Sequence, residues 1–429
     1  MWHLCGSLLT FGFASLAFAS WQGNVPYWLF FTVHGLAWAA VLVAAAAWRP
    51  AQPMTMVIIG YALAVRIVAA LALPVYEDDG ARYLWDGWQL STGHDPYAVA
   101  PEAFFSASGL PLWTQNILDR INHPHLRTIY SPVCQVAFAT AATLCPGSWW
   151  TWKILLCLTE LGTLYLVARY LPPRTLLWYA WCPLGLFETW INGHPDALAI
   201  LPLTAGLAVI ARRPACGGLL LGLATVTRMQ MLPVAMVQLL HGSWRCVAAA
   251  IGVAVVIYLP LLACGSDVGI GATQTMAHEW EFNSFLPAIM RPLLGQVTPQ
   301  FMMAVGVSGM AGIALYSRSR KTDPHQAGLM AMLWWLACSP VVNPWYALAM
   351  LPLLTSGWCT AVAVGVCAAL PLSYVRGLPA ADGSLRLFDH TWWVRPGEVA
   401  LMVVVGVITF VVMRHANKTA HACKAGAPE

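Results

Sequence analysis

Charge is what this chain has least of: 9% of its residues are Asp, Glu, Lys or Arg, and the formal net charge is +4. So small a balance, with its basic residues dispersed in short clusters, does not suggest nucleic acid as a partner, and none is expected. No two of the 12 cysteines stand as C-x-x-C, and most, such as Cys134, Cys157, Cys182, Cys338 and Cys367, lie in apolar segments. Neither a zinc site nor a disulfide framework is expected. No internal repeat, linker or low-complexity tract is visible, so residues 1–429 are read as one unit. No Lys or Arg precedes the first apolar segment, Leu4 to Ala19. Its end, Ala17-Phe18-Ala19-Ser20, looks like a signal-peptidase site, yet without that basic start an uncleaved first helix is expected.

What the chain has instead is apolar length. It is 59% hydrophobic with a mean hydropathy of +0.65, and stretches close to the roughly 20 residues that cross a bilayer recur from end to end. The expected fold is therefore all-α, a polytopic membrane protein of about 12–14 transmembrane segments. The first three fall at about 4 to 20, 27 to 48 and 54 to 74. Arg49 lies between the second and third, which makes that junction cytoplasmic by the positive-inside rule and brings Asp78 and Asp79 out on the other side.

The following stretch, Ala81 to Tyr130, is too polar and too rich in Gly and Pro to span, yet carries Phe104, Phe105, Leu112, Trp113 and Ile117. Short juxtamembrane amphipathic helices on the membrane surface suit it, within a first large outer loop at 76–130. Ser131 to Cys145 reads as re-entrant or juxtamembrane, because a full crossing there would put Arg169 and Arg174 outside. Further spans are expected at about 152 to 170, 175 to 190 and 196 to 211. Residues 215–241 are too long for one helix and contain Arg228 and Pro233, so two short segments meeting near Arg228 are expected. Arg245, the cluster Arg318, Arg320 and Lys321, and a tail with Arg414, Lys418 and Lys424 fall on the cytoplasmic side.

These sides segregate the unusual residues: Asp78, Asp79, Arg82, His123, Arg127, His194, Asp196, Arg228, Glu281 and Asn343 all fall on or near the outer face. One polar site could gather them. A carboxylate beside a second one in a partly desolvated loop can act as general base toward a hydroxyl nucleophile. Surrounding cations would stabilise a phosphate leaving group, with Arg82, Arg228, Arg127, His123 and His194 as candidates. Plainer readings exist for each. The acids could end a helix at the interface, with Glu77 as their polar flank, and Arg82 could snorkel to headgroups. His194 and Asp196 could cap the next helix. His123 and His125, two residues apart beside Pro124, are not a ligand signature, and no metal or cofactor is expected. Trp85, Trp113, Trp280 and Trp345 read as interface anchors. Arg228, inside an apolar run, is the hardest to dismiss.

The blocks Asp79-Gly80-Ala81-Arg82-Tyr83-Leu84-Trp85-Asp86-Gly87 and Gly93-His94-Asp95-Pro96-Tyr97 resemble the first outer loop of bacterial polyprenol-phosphate-mannose-dependent mannosyltransferases of the GT-C superfamily, near glycosyltransferase family 87. The likeness continues through Ile121 to Pro132, Gly193 to Leu198, Trp280-Glu281-Phe282-Asn283 and Asn343-Pro344-Trp345-Tyr346, covering most of the chain in order. It departs at Ser131, where the family usually has proline, and at Arg228, where lysine is frequent; arginine still suits a phosphate. The resemblance implies inverting transfer of a sugar, mannose foremost, from a polyprenyl-phosphate donor to a lipid or glycan acceptor on the outer side of the plasma (inner) membrane. It also implies that an acid of the first outer loop is the base; Asp79 is favoured by its distance from Arg82-Tyr83, with Asp78 its competitor. Asn283, Trp345 and Tyr346 join the expected substrate site with their blocks. The rival is a flippase or transporter of a lipid-linked sugar, for which related halves and mid-bilayer charges would be expected.

Overall fold

The computed structural model describes residues 1–48, 52–375 and 393–425. Arg49 lies outside the described residues. The protein is all-helical, and among the described residues the sole pairing of extended chain is an isolated parallel bridge between Phe282 and Val341.

Three helices open the chain: α1 (Trp2–Trp21), α2 (Tyr27–Ala46) and α3 (Gln52–Ala70). They lie where the first three spans are expected, α1 and α2 at spanning length and α3 among the shorter apolar helices. A short amphipathic helix, α4 (Asp79–Ser91), and the still shorter α5 (Leu112–Leu118) then lie in the polar stretch expected to rest at the membrane surface. α6 (Pro132–Leu144) has 13 residues, too few to cross a hydrocarbon core at 1.5 Å per residue, as the re-entrant reading requires. α7 (Trp149–Tyr170) is of spanning length.

The middle of the chain is broken. α8 (Pro173–Trp181) and α9 (Pro183–Gly185) run into a π-helical turn, Leu186–Ile191, before α10 (Asp196–Val209). α11 (Pro214–Thr227) stops at Arg228, whose φ of −142° and ψ of 116° are extended, and α12 (Leu232–His241) follows a single 3₁₀ turn. This is the interrupted pair foreseen around Arg228. α13 (Trp244–Ala263), α14 (Ile270–Glu279), α15 (Leu286–Leu294), α16 (Thr298–Arg320) and α17 (Pro324–Cys338) come next. After a 3₁₀ segment, Pro344–Leu353, α18 (Trp358–Ala369) and α19 (Val394–Ala425) close the chain.

Six stretches among the described residues are long and apolar enough to cross a membrane, with five shorter apolar helices beside them. These uninterrupted helices are fewer than the about 12–14 segments expected. Proline and polar residues cut several apolar runs into half-length helices, which sequence hydropathy alone merges into spans. The six are nonetheless sufficient to make this a membrane protein.

Small residues let the helices close up. An added Cβ on Gly87 would lie 2.4 Å from the Phe138 carbonyl oxygen, on Gly218 2.1 Å from that of Cys246, and on Gly365 2.3 Å from that of Met402. Backbone approach of this kind is what drives helix association where lipid is as apolar as leucine. A buried ion pair adds specificity: Arg66 on α3 donates to both oxygens of Glu160 on α7, at 2.9 and 2.7 Å, and to the carbonyls of Ala62 and Ala180. Trp85 is fully buried in the core around α4 and is not an interface anchor, because α4 packs its aromatic face against α6 and α7.

Candidate functional site

Five separated segments wall one cavity of about 110 Å³: the start of α4, the loop ahead of α6, the α11–α12 break, the chain at 280–282 and the chain at 341–346. Local chemistry holds each in place. Tyr97 donates to the Tyr130 carbonyl at 2.7 Å and Arg82 to that of Leu126 at 2.9 Å, fastening the loop onto α4. Ser131 caps α6 through the Cys134 amide and donates to the Thr227 carbonyl at 2.8 Å, fastening the same loop to the end of α11. Phe282 pairs with Pro340 and Val342 through backbone hydrogen bonds of 2.9 and 2.8 Å, which joins the last two segments. Gly80 and Gly193 both abut the Trp149 ring, where an added Cβ would come within 2.7 and 2.6 Å, so this one indole sets the acidic loop against the 193–196 loop.

The expected residues Asp78, Asp79, Arg82, His123, Arg127, Arg228, Asn343, Trp345 and Tyr346 all line the cavity. Glu77 lines it as well, which makes it more than the flank expected of it. The carboxyl groups of Glu77, Asp78 and Asp79 bring one oxygen each within 4.8 Å of one another, a spacing a divalent cation could share. Asn122 already bridges the two aspartates, its amide donating to Asp78 at 2.7 Å and to Asp79 at 3.0 Å. The second oxygen of Asp79 faces the hydroxyls of Tyr130 at 3.3 Å and Tyr83 at 3.5 Å. Burial, reinforced by the nearby acid, holds both phenols well above their usual range, so they face Asp79 as protonated donors.

The cationic side is built around Arg228. Its guanidinium meets Asp196 at 3.2 Å without hydrogen-bond alignment, lies 5.6 Å from the centre of the Tyr130 ring and leaves its buried Nε without a partner. Such an arginine has donor capacity to offer an anion. Arg82 is more committed than expected, with Nε on Asp86 at 2.9 Å in addition to its contact with Leu126. His123 adopts a left-handed backbone at φ 48° and packs its ring 4.5 Å from that of Trp280. Burial, then the neighbouring His125, lowers its affinity for a proton.

The remaining expected residues stand behind the wall. Asp196 is wholly buried at the first turn of α10 as the counter-ion of Arg228. His194 stacks on Trp345 with ring centres 3.8 Å apart. Asn283 donates to Glu398 at 3.1 Å, and Glu281 pairs with Arg291 and accepts from Ser284, so these two hold the 280–284 segment rather than face the cavity. Asn122, Tyr83 and Tyr130 were not singled out as site residues from the sequence, although they sit in the blocks that carry the resemblance. Glu188 gave no signal beyond the boundary of a loop.

Comparison of the chain with family models, with characterised proteins and with solved structures returns no match in any of the three.

Proposed function

We propose that this cavity is the active site of a membrane glycosyltransferase of GT-C type. It moves a hexose, mannose foremost, from a polyprenyl-phosphate carrier to a hydroxyl of a lipid or glycan acceptor, with inversion, on the outer side of the membrane. The observation that carries the reading is Tyr130, which touches an acid with its hydroxyl and a cation with its ring. Asp79 and Arg228 thus face one space across a single aromatic ring. A base and a leaving-group cation at that separation suit an acceptor hydroxyl and a sugar phosphate lying between them.

In this reading Asp79 takes the proton of the acceptor hydroxyl as its oxygen attacks the anomeric carbon. The bond from that carbon to the phosphate oxygen breaks, and its electron pair leaves with polyprenyl phosphate. Arg228 stabilises the departing charge, with Arg127 and His123 on the same wall. Asn122 and the two phenols orient the carboxylate. The aromatic wall of Trp280, Trp345 and Tyr346 offers stacking faces for the sugar.

The test is transfer by the purified protein from polyprenyl-phosphate mannose, and from other polyprenyl-phosphate sugars, to candidate acceptors. Asp79→Asn is expected to lower turnover by about 10²- to 10⁴-fold. Normal turnover by both Asp78→Asn and Asp79→Asn overturns the mechanism. Net movement of donor across proteoliposomes without formation of a glycosidic bond would favour the flippase instead.

A further inference from the structure

Behind Asp79 a line of hydrogen-bonding groups runs into the core. Tyr83, whose hydroxyl is 3.5 Å from Asp79 Oδ2, has the same hydroxyl 3.2 Å from His194 Nδ1. On the far side of that ring, His194 Nε2 lies 3.3 Å from Glu188 Oε2. All three are nearly inaccessible: Tyr83 and His194 are 1% exposed and Glu188 0%. Glu188 sits on the π-helical turn Leu186–Ile191. The turn's wider winding and the hydrogen bond from the His194 amide to the Glu188 carbonyl, 3.0 Å, bring the carboxyl and the imidazole face to face.

The neighbours decide the tautomer. Tyr374 donates its hydroxyl to Glu188 at 2.9 and 3.0 Å, and Asn192 its amide at 3.4 Å, so the carboxylate is used as an acceptor throughout. The ring nitrogen facing it therefore carries the hydrogen, which makes Nδ1 an acceptor; the one Tyr83 hydrogen goes to Asp79 while that group is a carboxylate and to Nδ1 when it is protonated. The Nε2 contact lacks hydrogen-bond alignment while the ring is neutral and would strengthen once the ring becomes cationic. Trp345, stacked on the imidazole at 3.8 Å, offers its face to the same cation.

We propose that Tyr83, His194 and Glu188 form a buried proton relay that regenerates the carboxylate of Asp79. A proton on Asp79 passes to the Tyr83 oxygen while the Tyr83 proton moves to His194 Nδ1. Asp79 returns to carboxylate, Tyr83 stays a neutral phenol, and His194 becomes an imidazolium held by Glu188. Once the product has gone, the same path returns the proton to Asp79, from which it passes to water entering the cavity. Tyr83, which burial keeps protonated, can pass a proton along only in this concerted way. Glu188 touches no substrate; it is a positioning residue. The groups facing the imidazole are Glu188, Tyr83 with Asp79 beyond it, Trp345, Tyr374 across Glu188, and the nearby Asp196–Arg228 pair, whose charges offset each other.

The catalytic part of this inference rests on the transferase reading, so its test has one arm with turnover and one without. Glu188→Gln keeps the shape and removes the charge. It is expected to cut kcat by roughly 10- to 100-fold at unchanged KM for the polyprenyl-phosphate sugar. It should also change the acid limb of the kcat profile, a readout that a merely structural role would leave as in the wild type. A fall in kcat with the limb unmoved overturns the relay. In the second arm, nitrogen-15 histidine NMR of the detergent-solubilised protein, with His194→Gln identifying the signal, should show the hydrogen of His194 on Nε2 in the wild type and a shifted tautomer balance in Glu188→Gln. No shift overturns the relay whatever the turnover; a shift in a protein that transfers no sugar upholds the His–Glu couple and removes the transferase reading. Should Glu188→Gln fail to fold, Tyr83→Phe, which deletes one hydroxyl, must cut kcat similarly and change the acid limb, and a wild-type profile overturns the proposal.

Discussion

Arg228 and Asp196 illustrate how one buried pair serves both stability and chemistry. Asp196 is wholly buried and meets the guanidinium at 3.2 Å, so Asp196→Asn strands a cation away from water. We expect a loss of about 3–5 kcal/mol, read by denaturation in detergent micelles. The double variant Arg228→Met/Asp196→Leu should recover most of that stability while sugar transfer stays lost, because the cation for the phosphate has gone with the cost of burying it. His123 yields a prediction in pH. Its folded form binds a proton less readily than the ordinary value of 6.5 allows, whereas the unfolded chain titrates near that value. Its contribution to stability is complete above the unfolded value and is lost as pH falls below it. Melting followed from about pH 7 to about pH 5 should therefore show a larger loss for the wild type than for His123→Asn. Asparagine tolerates the left-handed φ of 48° at that position.

At the scale of the element, the position of Asp79 depends on how closely α4 lies on α6. Gly87 is the contact: a methyl group there would sit 2.4 Å from the Phe138 carbonyl oxygen, a backbone atom that cannot turn aside. Gly87→Ala should cost about 1–3 kcal/mol in thermal or denaturant unfolding and, by pushing α4 outward, reduce transfer as well. The broken helices follow two different rules. The α11–α12 interruption was legible, because an arginine within an apolar run must be explained and Pro233 follows it closely. The π-turn at Leu186–Ile191 was not, since an extra residue in one turn leaves the apolar composition of Leu-Phe-Glu-Thr-Trp-Ile unchanged. Its consequence, Glu188 facing His194, was invisible for the same reason.

At the scale of the whole molecule, the cavity gathers Glu77, Asp78 and Asp79 with Arg82, Arg127 and Arg228, and other basic residues lie apart from it. Arg174 lies with Ala45 and Trp48 at the end of α2 and with Met413 of α19, and Arg318 donates to the carbonyl of Leu240 at the end of α12. Two exposed serines give a test of sidedness. In cells with intact inner membranes, Ser108→Cys should react with an impermeant maleimide above the wild-type background, and Ser319→Cys should react only after permeabilisation. The opposite pattern would invert the chain and place the cavity in the cytoplasm.

The sequence alone determined the solvent and the cast of residues. Scarce charge and repeated apolar length demand a membrane, because every backbone polar group in lipid must be satisfied within a helix, and the rare acids and cations stand out by their cost there. The two segments meeting at Arg228, the short α6 and the short amphipathic α4 could all be read from local polarity and length. Only the tertiary structure decided which of those residues share a wall and which stand behind it. Asp196 became a counter-ion, Asn283 and Glu281 became fasteners, Trp85 became core, and Asn122, Tyr83, Tyr130 and Glu188 entered the site. Those roles are distances between residues as far apart in sequence as Tyr83 and His194. They arise from how small residues let helices close on one another, which hydropathy along a chain does not encode.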